Sequence, residues 1–351
     1  VSQSGLENRF YKIRLDENGH FVSLYDKRCG REVLAGPSNR LVIFEDKPAA
    51  ESAWNIDLEY QNKRWDLDGV EEIRVVEQTP LRGVLRVCRS FHRSRIEQDI
   101  ILYGDSDRID FRTRVSWQET EKMLKTEFLV DVLSSRATYE IPFAAIERTT
   151  HNNTSFDRTK FEVPAHRWAD LSEGRYGVSL LNDCKYGYDI KGQCMRLTLL
   201  RAPVFPDPTG DKGEHEFTYS LLPHAGNWIT ANTVRAGYEL NVPLLAQRCA
   251  ASQAVGSLPA AKSFARSLQD NVILDTVKRA EDGSGIVLRL YESSGSKTEA
   301  ALEFSFPAEG VWECNLMEEE ERRMPLCGNR LAFSIRPFEI KTFKLAYRDK
   351  N

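Results

Sequence analysis

The sequence lacks several patterns that would assign a chemistry at once. Its seven cysteines include no CxxC pair, which excludes a zinc ribbon, and their odd number disfavours a dense disulfide framework. No glycine-rich phosphate loop joins a strand to a helix, so a nucleotide site of that kind is disfavoured. No apolar run approaches the ~20 residues that cross a bilayer, and the opening "VSQSGLENRF" resembles no secretory signal. Reduced thiols in the cytoplasm fit this pattern best.

The charge balance disfavours a further class of partner. The 351 residues carry a formal net charge of −4, and the 48 Lys and Arg are interleaved with 52 Asp and Glu. Because no basic stripe is available to collect phosphates, we expect no nucleic acid as a partner, and we expect no membrane. The chain is 41% hydrophobic, which allows a sizeable core, and its length allows two or more domains.

The dominant pattern is a period of two residues, which is typical of half-buried strands. In "RIDFRTRVSW" (108–117) apolar side chains alternate with charged and polar ones, and "DENG" (16–19) separates two apolar runs as a hairpin turn would. By contrast, "ETEKMLKT" (119–126) is short and charged, and it predicts a loop between strands. The alternation recurs at 301–306, 331–335 and 343–347. Many short strands joined by turns predict an all-β fold of antiparallel sheets packed face to face.

A domain boundary is predicted near residues 245–262, where long polar loops give way to a tighter run of strands. Within it, "SQAVGSLPAAKS" (252–263) has the composition of a linker. We therefore predict a first domain over residues 1–250 and a second over residues 251–351. The second has about the size of one small β-sandwich.

Two stretches concentrate groups that could do chemistry. Residues 150–177 bring His, Asn, Asp and Arg close together, which could hydrogen-bond hydroxyl groups, and Trp168 could stack on a sugar face. The same stretch could equally be a polar loop that satisfies its own backbone, with Trp168 in the core. Residues 50–65 surround Asn55 and Asp57 with aromatic side chains. This suits carbohydrate, but an ordinary strand edge would have the same composition.

Two further stretches offer weaker candidates. Cys184 lies in residues 180–203, but no base beside it would activate a thiol, so we interpret it as structural. Asp207, Asp211 and Glu214 hint at calcium, yet their spacing fails the EF-hand pattern. Paired carboxylates for glycoside chemistry cannot be chosen by spacing, because such pairs meet only in space.

Several long strings carry a resemblance to a known family. Residues 146–192, residues 199–226, residues 6–34 and "AWNID" (53–57) closely resemble the C-terminal half of glycoside hydrolase family 38 α-mannosidases of the bacterial and cytosolic type. The resemblance covers essentially the whole chain. It implies a large antiparallel supersandwich of the galactose-mutarotase-like kind, followed by a small immunoglobulin-like β-sandwich.

The same resemblance implies a function. It makes the chain the C-terminal portion of a retaining enzyme that hydrolyses terminal α-D-mannosides. In this family an N-terminal catalytic domain carries the Asp nucleophile and a divalent metal, usually zinc. No closely spaced His and Asp appear near Val1, so catalytic residues and metal ligands are expected to be missing here, and the chain alone is expected to be inactive. The expected partners are an α-mannoside or oligomannoside and the N-terminal catalytic domain of the same protein.

The family pattern E-R-P-T-H-x-N-T-S-W-D lies at residues 147–157, where Thr149 replaces the proline and Phe156 replaces the tryptophan. The pattern A-W-D-I-D appears at 53–57 with Asn55 in place of an aspartate. These departures affect the expected contacts rather than the expected fold. The resemblance implies that this region lends side chains to the rim of the active site. The candidate rim residues are Arg148, His151, Asn153, Asp157, Trp54 and Asp57.

Three other functions stay open at this point. A stand-alone carbohydrate-binding module would bind mannose or oligomannosides by itself. A purely structural domain would touch no substrate. An autonomous mutarotase-like enzyme needs a His and a carboxylate that face one pocket, and His166 and Glu162 are available for that role.

Overall fold

The computed structural model describes residues 1–248, 259–306 and 308–346. The chain divides into two compact units, Val1–Glu140 with Ile146–Val242, and Ile141–Ala145 with Pro243–Asn351. The predicted boundary between residues 250 and 251 lies outside the described residues, as do Cys249 and most of the predicted linker. The short segment Ile141–Ala145 groups with the second unit, where the ring of Phe143 meets that of Tyr291 edge to face at 5.3 Å.

The first unit is built almost entirely of strands. Its strands in chain order are β1 Gly5–Glu7, β2 Tyr11–Leu15, β3 Phe21–Asp26, β4 Arg31–Glu32, β5 Arg40–Glu45, β6 Arg64–Asp66, β7 Glu72–Gln78, β8 Arg82–Phe91, β9 Ser94–Tyr103, β10 Ile109–Trp117, β11 Lys122–Leu129, β12 Arg136–Ile141, β13 Ala144–Thr149, β14 Val163–Pro164, β15 Trp168–Ser172, β16 Tyr176–Asn182, β17 Gly187–Lys191, β18 Cys194–Leu200 and β19 Gly213–Ala225. The helical segments are a 3₁₀ turn at Leu58–Asn62, α1 Ser155–Thr159 and α2 Thr233–Asn241.

Among the described residues, these strands form three sheets. Their orders are β1-β2-β3-β4, β13-β12-β15-β16-β19-β10-β9-β8-β7, and β14-β17-β18-β11-β5-β6. The alternation predicted for 108–117 is present in β10, where the apolar side chains are buried and Arg112 and Arg114 face outward to Glu216 of β19. The predicted turn at 16–19 joins β2 to β3, and Gly19 adopts the left-handed φ of 68° that such a turn requires.

Aromatic rings hold the sheets of the first unit together. Phe111 of β10 lies 5.6 Å from Phe128 of β11, so the nine-stranded and six-stranded sheets pack against each other. Phe21 of β3 joins the same cluster at 5.5 Å from Phe111, and Tyr219 of β19 stacks on Phe111 at 5.0 Å. All four rings are buried in one continuous hydrophobic core.

The second unit is a smaller sandwich. Its strands are β20 Ala265–Ser267, β21 Val272–Arg279, β22 Ile286–Glu292, β23 Thr298–Phe304, β24 Gly310–Cys314, β25 Glu320–Met324, β26 Leu326–Cys327, β27 Arg330–Ile335 and β28 Ile340–Ala346. In its described part they form the sheets β20-β23-β27-β26 and β21-β22-β28-β24-β25, and Phe333 packs on Phe343 across them at 4.9 Å. The predicted fold class is therefore confirmed: all-β, a large antiparallel supersandwich followed by a small β-sandwich.

One local prediction is wrong. The charged segment 119–126 was expected to be a loop, but most of it belongs to β11, which lies between β18 and β5 within the six-stranded sheet. The side chain of Lys125 is fully buried there and pairs with Glu162. A charged side chain can occupy such a strand because its partner comes from a segment that is distant in sequence.

Candidate functional site

The loop between β13 and β14 is held by the carboxylate of Asp157. The hydroxyl of Thr154 accepts from the Asp157 N–H at 3.1 Å, and Oδ2 of Asp157 accepts from the Thr154 N–H at 3.1 Å and from its hydroxyl at 2.7 Å. The Thr149 hydroxyl donates to Oδ1 at 2.7 Å. These hydrogen bonds, from Thr154 first and Thr149 second, lower the pKa of Asp157 to about 2. Both oxygens of Asp157 are therefore used within the loop, as in a capping box.

Two other candidate residues share this loop. Nδ1 of His151 accepts from the Asn153 N–H at 3.4 Å and lies 3.6 Å from Oδ2 of Asp157. The side chain of Asn153 is exposed. The structure thus brings His151, Asn153 and Asp157 together, and Nε2 of His151 and the amide of Asn153 have no hydrogen-bond partner within the described part of the chain.

Arg148 lies apart from this group. It belongs to β13, and its guanidinium lies over the ring of Tyr139 with 4.7 Å from Cζ to the ring centroid. Burial lowers the pKa of Arg148 from its ordinary value, and its buried Nη1 has no hydrogen-bond partner on the described residues. Among those residues no hydrogen bond links Arg148 to His151, Asn153 or Asp157.

Trp54 and Asp57 lie in a second loop. Trp54 is 67% exposed, and its ring lies 6.4 Å from that of Phe205. Asp57 accepts from the Ala49 N–H at 2.7 Å and immediately precedes the 3₁₀ turn Leu58–Asn62. The side chain of Asp57 therefore ties Ala49 to the residue before this turn and does not cap the turn itself, while Trp54 presents an aromatic face to solvent.

A cavity of about 500 Å³ lies beside both loops. One wall is the 3₁₀ turn with Gln61 and Asn62, and another is the segment 152–161 with Asn152 and Arg158. Its remaining lining comes from β17 and β18 and includes Asp189; we call it the Asp189 cavity. Residues from the three stretches that the sequence analysis considered separately, 50–65, 150–177 and 180–203, therefore meet at this cavity. However, none of the six candidate rim residues is among the residues that line it.

Charged side chains form a connected set at the side of this cavity. Arg196 pairs with Asp189 at 2.9 Å and with Glu127 at 2.7 Å. Glu127 also pairs with Arg64 at 3.1 Å. Burial alone would raise the pKa of Glu127, but Arg196 and Arg64 outweigh it and hold that pKa below its ordinary value. We call this set the Glu127 lattice; its members are Arg40, Arg64, Asp66, Glu127, Asp189 and Arg196.

A buried ion pair lies in the same sheet. Nζ of Lys125 contacts Glu162 and donates to the hydroxyl of Tyr60 at 3.2 Å, and the Thr198 hydroxyl donates to the other oxygen of Glu162. Although burial opposes it, Glu162 holds the pKa of Lys125 well above its usual value. The carboxylate of Glu162 is therefore used by Lys125. The ring of His166 lies 5.5 Å from that of Tyr186, edge to face. These contacts do not support the mutarotase-like pairing of His166 with Glu162.

The remaining candidates are structural. Trp168 is fully buried and stacks on Trp228 at 5.1 Å, so its interpretation as a sugar platform is wrong and its interpretation as a core residue is right. Burial raises the pKa of the Cys184 thiol to about 11, which does not suit a nucleophile. Asp207 accepts from the N–H and hydroxyl of Thr209, and Asp211 accepts from the backbone at Arg201.

The described residues do not fit a metal centre. They contain no group of three or more His, Cys, Asp or Glu side chains placed to hold an ion. Nor does any helix of the described part have the length and apolar character needed to cross a membrane.

Sequence reasoning missed the part of the cavity that β17 and β18 supply. In 180–203 it weighed only Cys184, whereas the cavity uses Asp189, Lys191 and Arg196. A signal was present, because Asp189 and Lys191 alternate with Tyr188 and Ile190, which places the two charges on one face of a strand.

Comparisons with known proteins place the chain in a family. Residues 6–209 match the family described as "Glycosyl hydrolases family 38 C-terminal domain", and residues 271–343 match "Glycosyl hydrolases family 38 C-terminal beta sandwich domain". Alpha-mannosidase 2C1 of Homo sapiens is 39% identical over 97% of this chain and 33% of its own length. Alpha-mannosidase G of Dictyostelium discoideum is 38% identical over 97% of this chain and 32% of its own length.

A solved structure agrees at the level of the fold. The crystal structure of an alpha-mannosidase from Enterococcus faecalis V583 superposes with a TM-score of 0.80 at 16% identity, covering 97% of this chain and 42% of that one. This chain spans about a third of the length of the curated relatives it matches. The matches to the two family models and the identity to the relatives agree. The chain belongs to glycosyl hydrolase family 38 and corresponds to the family's C-terminal domains.

Proposed function

We propose that this chain is the C-terminal portion of a retaining α-mannosidase that hydrolyses terminal α-D-mannosides. One observation carries the proposal: proteins named as alpha-mannosidases are 38–39% identical to this chain over 97% of its length. In this proposal the chain supplies a scaffold and part of the active-site rim. It does not break the glycosidic bond itself; we place the nucleophile and the divalent metal, zinc, on an N-terminal catalytic domain, and the substrate is an α-mannoside or oligomannoside.

The candidate rim residues differ in whether their polar atoms already have hydrogen-bond partners in the protein. His151 and Asn153 have side-chain atoms free of protein partners in the described part of the chain, so we assign them direct contact with substrate hydroxyls. Asp157 uses both oxygens within its own loop, so we assign it the positioning of His151. Trp54 offers an exposed ring that suits stacking on a sugar face.

Arg148 and Asp57 take supporting roles in the proposal. The guanidinium of Arg148 is held over Tyr139, and Asp57 holds the loop at Ala49 through its carboxylate. We further propose that the protein is cytoplasmic, which the free thiols of the six described cysteines support. The two proposed domains are residues 1–250 and 251–351.

A direct assay tests the proposed division of labour. The 351-residue chain is incubated with 4-nitrophenyl α-D-mannoside, with and without added zinc. We expect no turnover in either case, because the groups that cleave the bond are placed elsewhere. Turnover that depends on zinc would overturn the proposal, since it would put the catalytic centre inside these residues.

A matched pair of variants tests the rim. In the product of the complete coding sequence, His151→Asn removes the proposed contact, whereas His92→Asn changes an exposed histidine outside this loop. Asn suits the second position because His92 has a φ of 50°, which Asn tolerates. We expect His151→Asn to lower kcat/KM about tenfold, the loss of one good hydrogen bond, at an unchanged melting temperature. Equal kcat/KM in both variants would contradict the rim assignment.

A further inference from the structure

The Asp189 cavity contains a buried acceptor that the protein does not use. Asp189 lines the cavity and is only 2% exposed. Its Oδ2 accepts from Arg196 at 2.9 Å, but its Oδ1 is buried and has no hydrogen-bond partner on the described residues. Buried carboxylate oxygens are normally satisfied, because leaving one unpaired costs free energy. A hydroxyl donor that reaches this oxygen from the cavity would remove that cost.

Positively charged hydrogen-bond donors line the same cavity. Arg158 lines it and is exposed, and within the described part of the chain its guanidinium has no carboxylate partner. Among the residues that the structure describes, Nζ of Lys191 makes a single, long hydrogen bond of 3.5 Å to the carbonyl of Asp157, and burial lowers the pKa of Lys191. The cavity thus offers strong donors and a strong acceptor to one ligand.

The remaining lining matches a ligand that both donates and accepts. Gln61, Asn62 and Asn152 contribute amides, which do both, and Phe161 contributes an aromatic ring. The volume of about 500 Å³ lies in the range of small-molecule sites. We propose that the Asp189 cavity binds a neutral saccharide unit, so that this chain has a carbohydrate site of its own, separate from the rim residues.

The unpaired carboxylate oxygen of Asp189 favours a neutral ligand over an anion. The Glu127 lattice includes Arg196 and Asp189 of the lining and is neutral as a whole, so Arg158 and Lys191 against Glu59 leave the lining one positive charge in excess. An anion would meet the unpaired oxygen of Asp189 and be repelled. A sugar hydroxyl can donate to that oxygen and accept from a neighbouring cation with no charge conflict.

The test measures binding by the 351-residue chain without any catalytic readout. Methyl α-D-mannoside and an α-mannobiose are titrated by ligand-observed NMR, with inorganic phosphate as the anionic probe. A small sugar is expected to bind with a Kd on the order of 1 mM. Arg158→Met and Gln61→Ala, from two different segments of the lining, are each expected to weaken binding about tenfold at an unchanged melting temperature. Arg74→Met, on β7, is the matched control and is expected to bind as the unaltered chain does.

Each outcome decides the question. Saturable sugar binding that both cavity variants weaken and the control does not would support the site. Absence of sugar binding, binding of phosphate in place of sugar, or equal sugar binding by Arg158→Met would overturn it. The proposed function fails on a different result, namely turnover of the aryl mannoside by this chain, so the two failures are distinguishable.

Discussion

The buried ion pair of Lys125 allows a quantitative prediction of stability. Lys125→Met replaces the ammonium by an apolar group of similar length and leaves Glu162 without its cation. The side chain of Lys125 is 0% exposed and that of Glu162 is 9% exposed, so water cannot readily replace the lost partner. The hydroxyl of Tyr60 loses one of its two donors in the same step and keeps the longer hydrogen bond from Gln61.

The expected magnitude follows from burial. Removing one member of a buried ion pair costs about 3–5 kcal/mol, because the remaining charge stays uncompensated. A surface pair costs about 0–1 kcal/mol, and Arg82 with Glu77 at 2.8 Å is such a pair, with side chains 44% and 31% exposed. We therefore expect Lys125→Met to lower the free energy of unfolding by about 3–5 kcal/mol and Arg82→Met by less than about 1 kcal/mol.

Urea unfolding followed by far-UV circular dichroism measures both variants. The double variant Lys125→Met with Glu162→Leu removes both charges, and we expect it to recover most of the loss, since an apolar pair can replace a buried ion pair. If Lys125→Met costs no more than Arg82→Met, the pair is not desolvated and the reasoning fails. If the double variant is as unstable as the single one, packing rather than charge is the cause.

Three further predictions follow from other contacts. Carboxyl NMR should give Asp157 a pKa of about 2. The stabilisation that the Asp157 carboxylate gives the loop is then complete above the unfolded-state pKa of 3.8 and is lost as the pH falls through about 2. A measured pKa near 4 would contradict the described hydrogen bonds. Thr154→Ala removes the cap of α1 and should destabilise the protein by about 1 kcal/mol in urea unfolding while raising the pKa of Asp157; an unchanged pKa would contradict this. Phe343→Ala, in the core of the second unit against Phe333, should cost about 3–5 kcal/mol in thermal unfolding, and a loss below about 1 kcal/mol would refute its core role.

Alternation along the chain was enough to predict the all-β fold and several of its strands. β10 is the clearest case, since each apolar residue of 108–117 points into the core as its period of two requires. The turn at 16–19 likewise follows from local turn chemistry. Such features depend only on residues that are close together in the sequence, so they can be predicted without knowing the tertiary structure.

The strand that carries Lys125 could not be predicted in this way. Its charges indicate a solvated segment until Glu162, 37 residues later, supplies the partner. The Asp189 cavity has the same origin, because its walls come from segments near residues 61, 158 and 189 that only the folded sheet brings together. Sequence reasoning marked each of the three stretches but could not choose the side chains that meet.

The Glu127 lattice also bears on how fast a ligand arrives. It sets three guanidinium groups against three carboxylates, so it projects little net field into solvent. An uncharged sugar has no net charge to steer in any field, so it would reach the neighbouring cavity by unassisted diffusion, at a rate nearly independent of ionic strength, and the lattice would give a charged competitor little advantage. Differences in affinity among sugars or variants would appear in how long the complex lasts rather than in how often it forms.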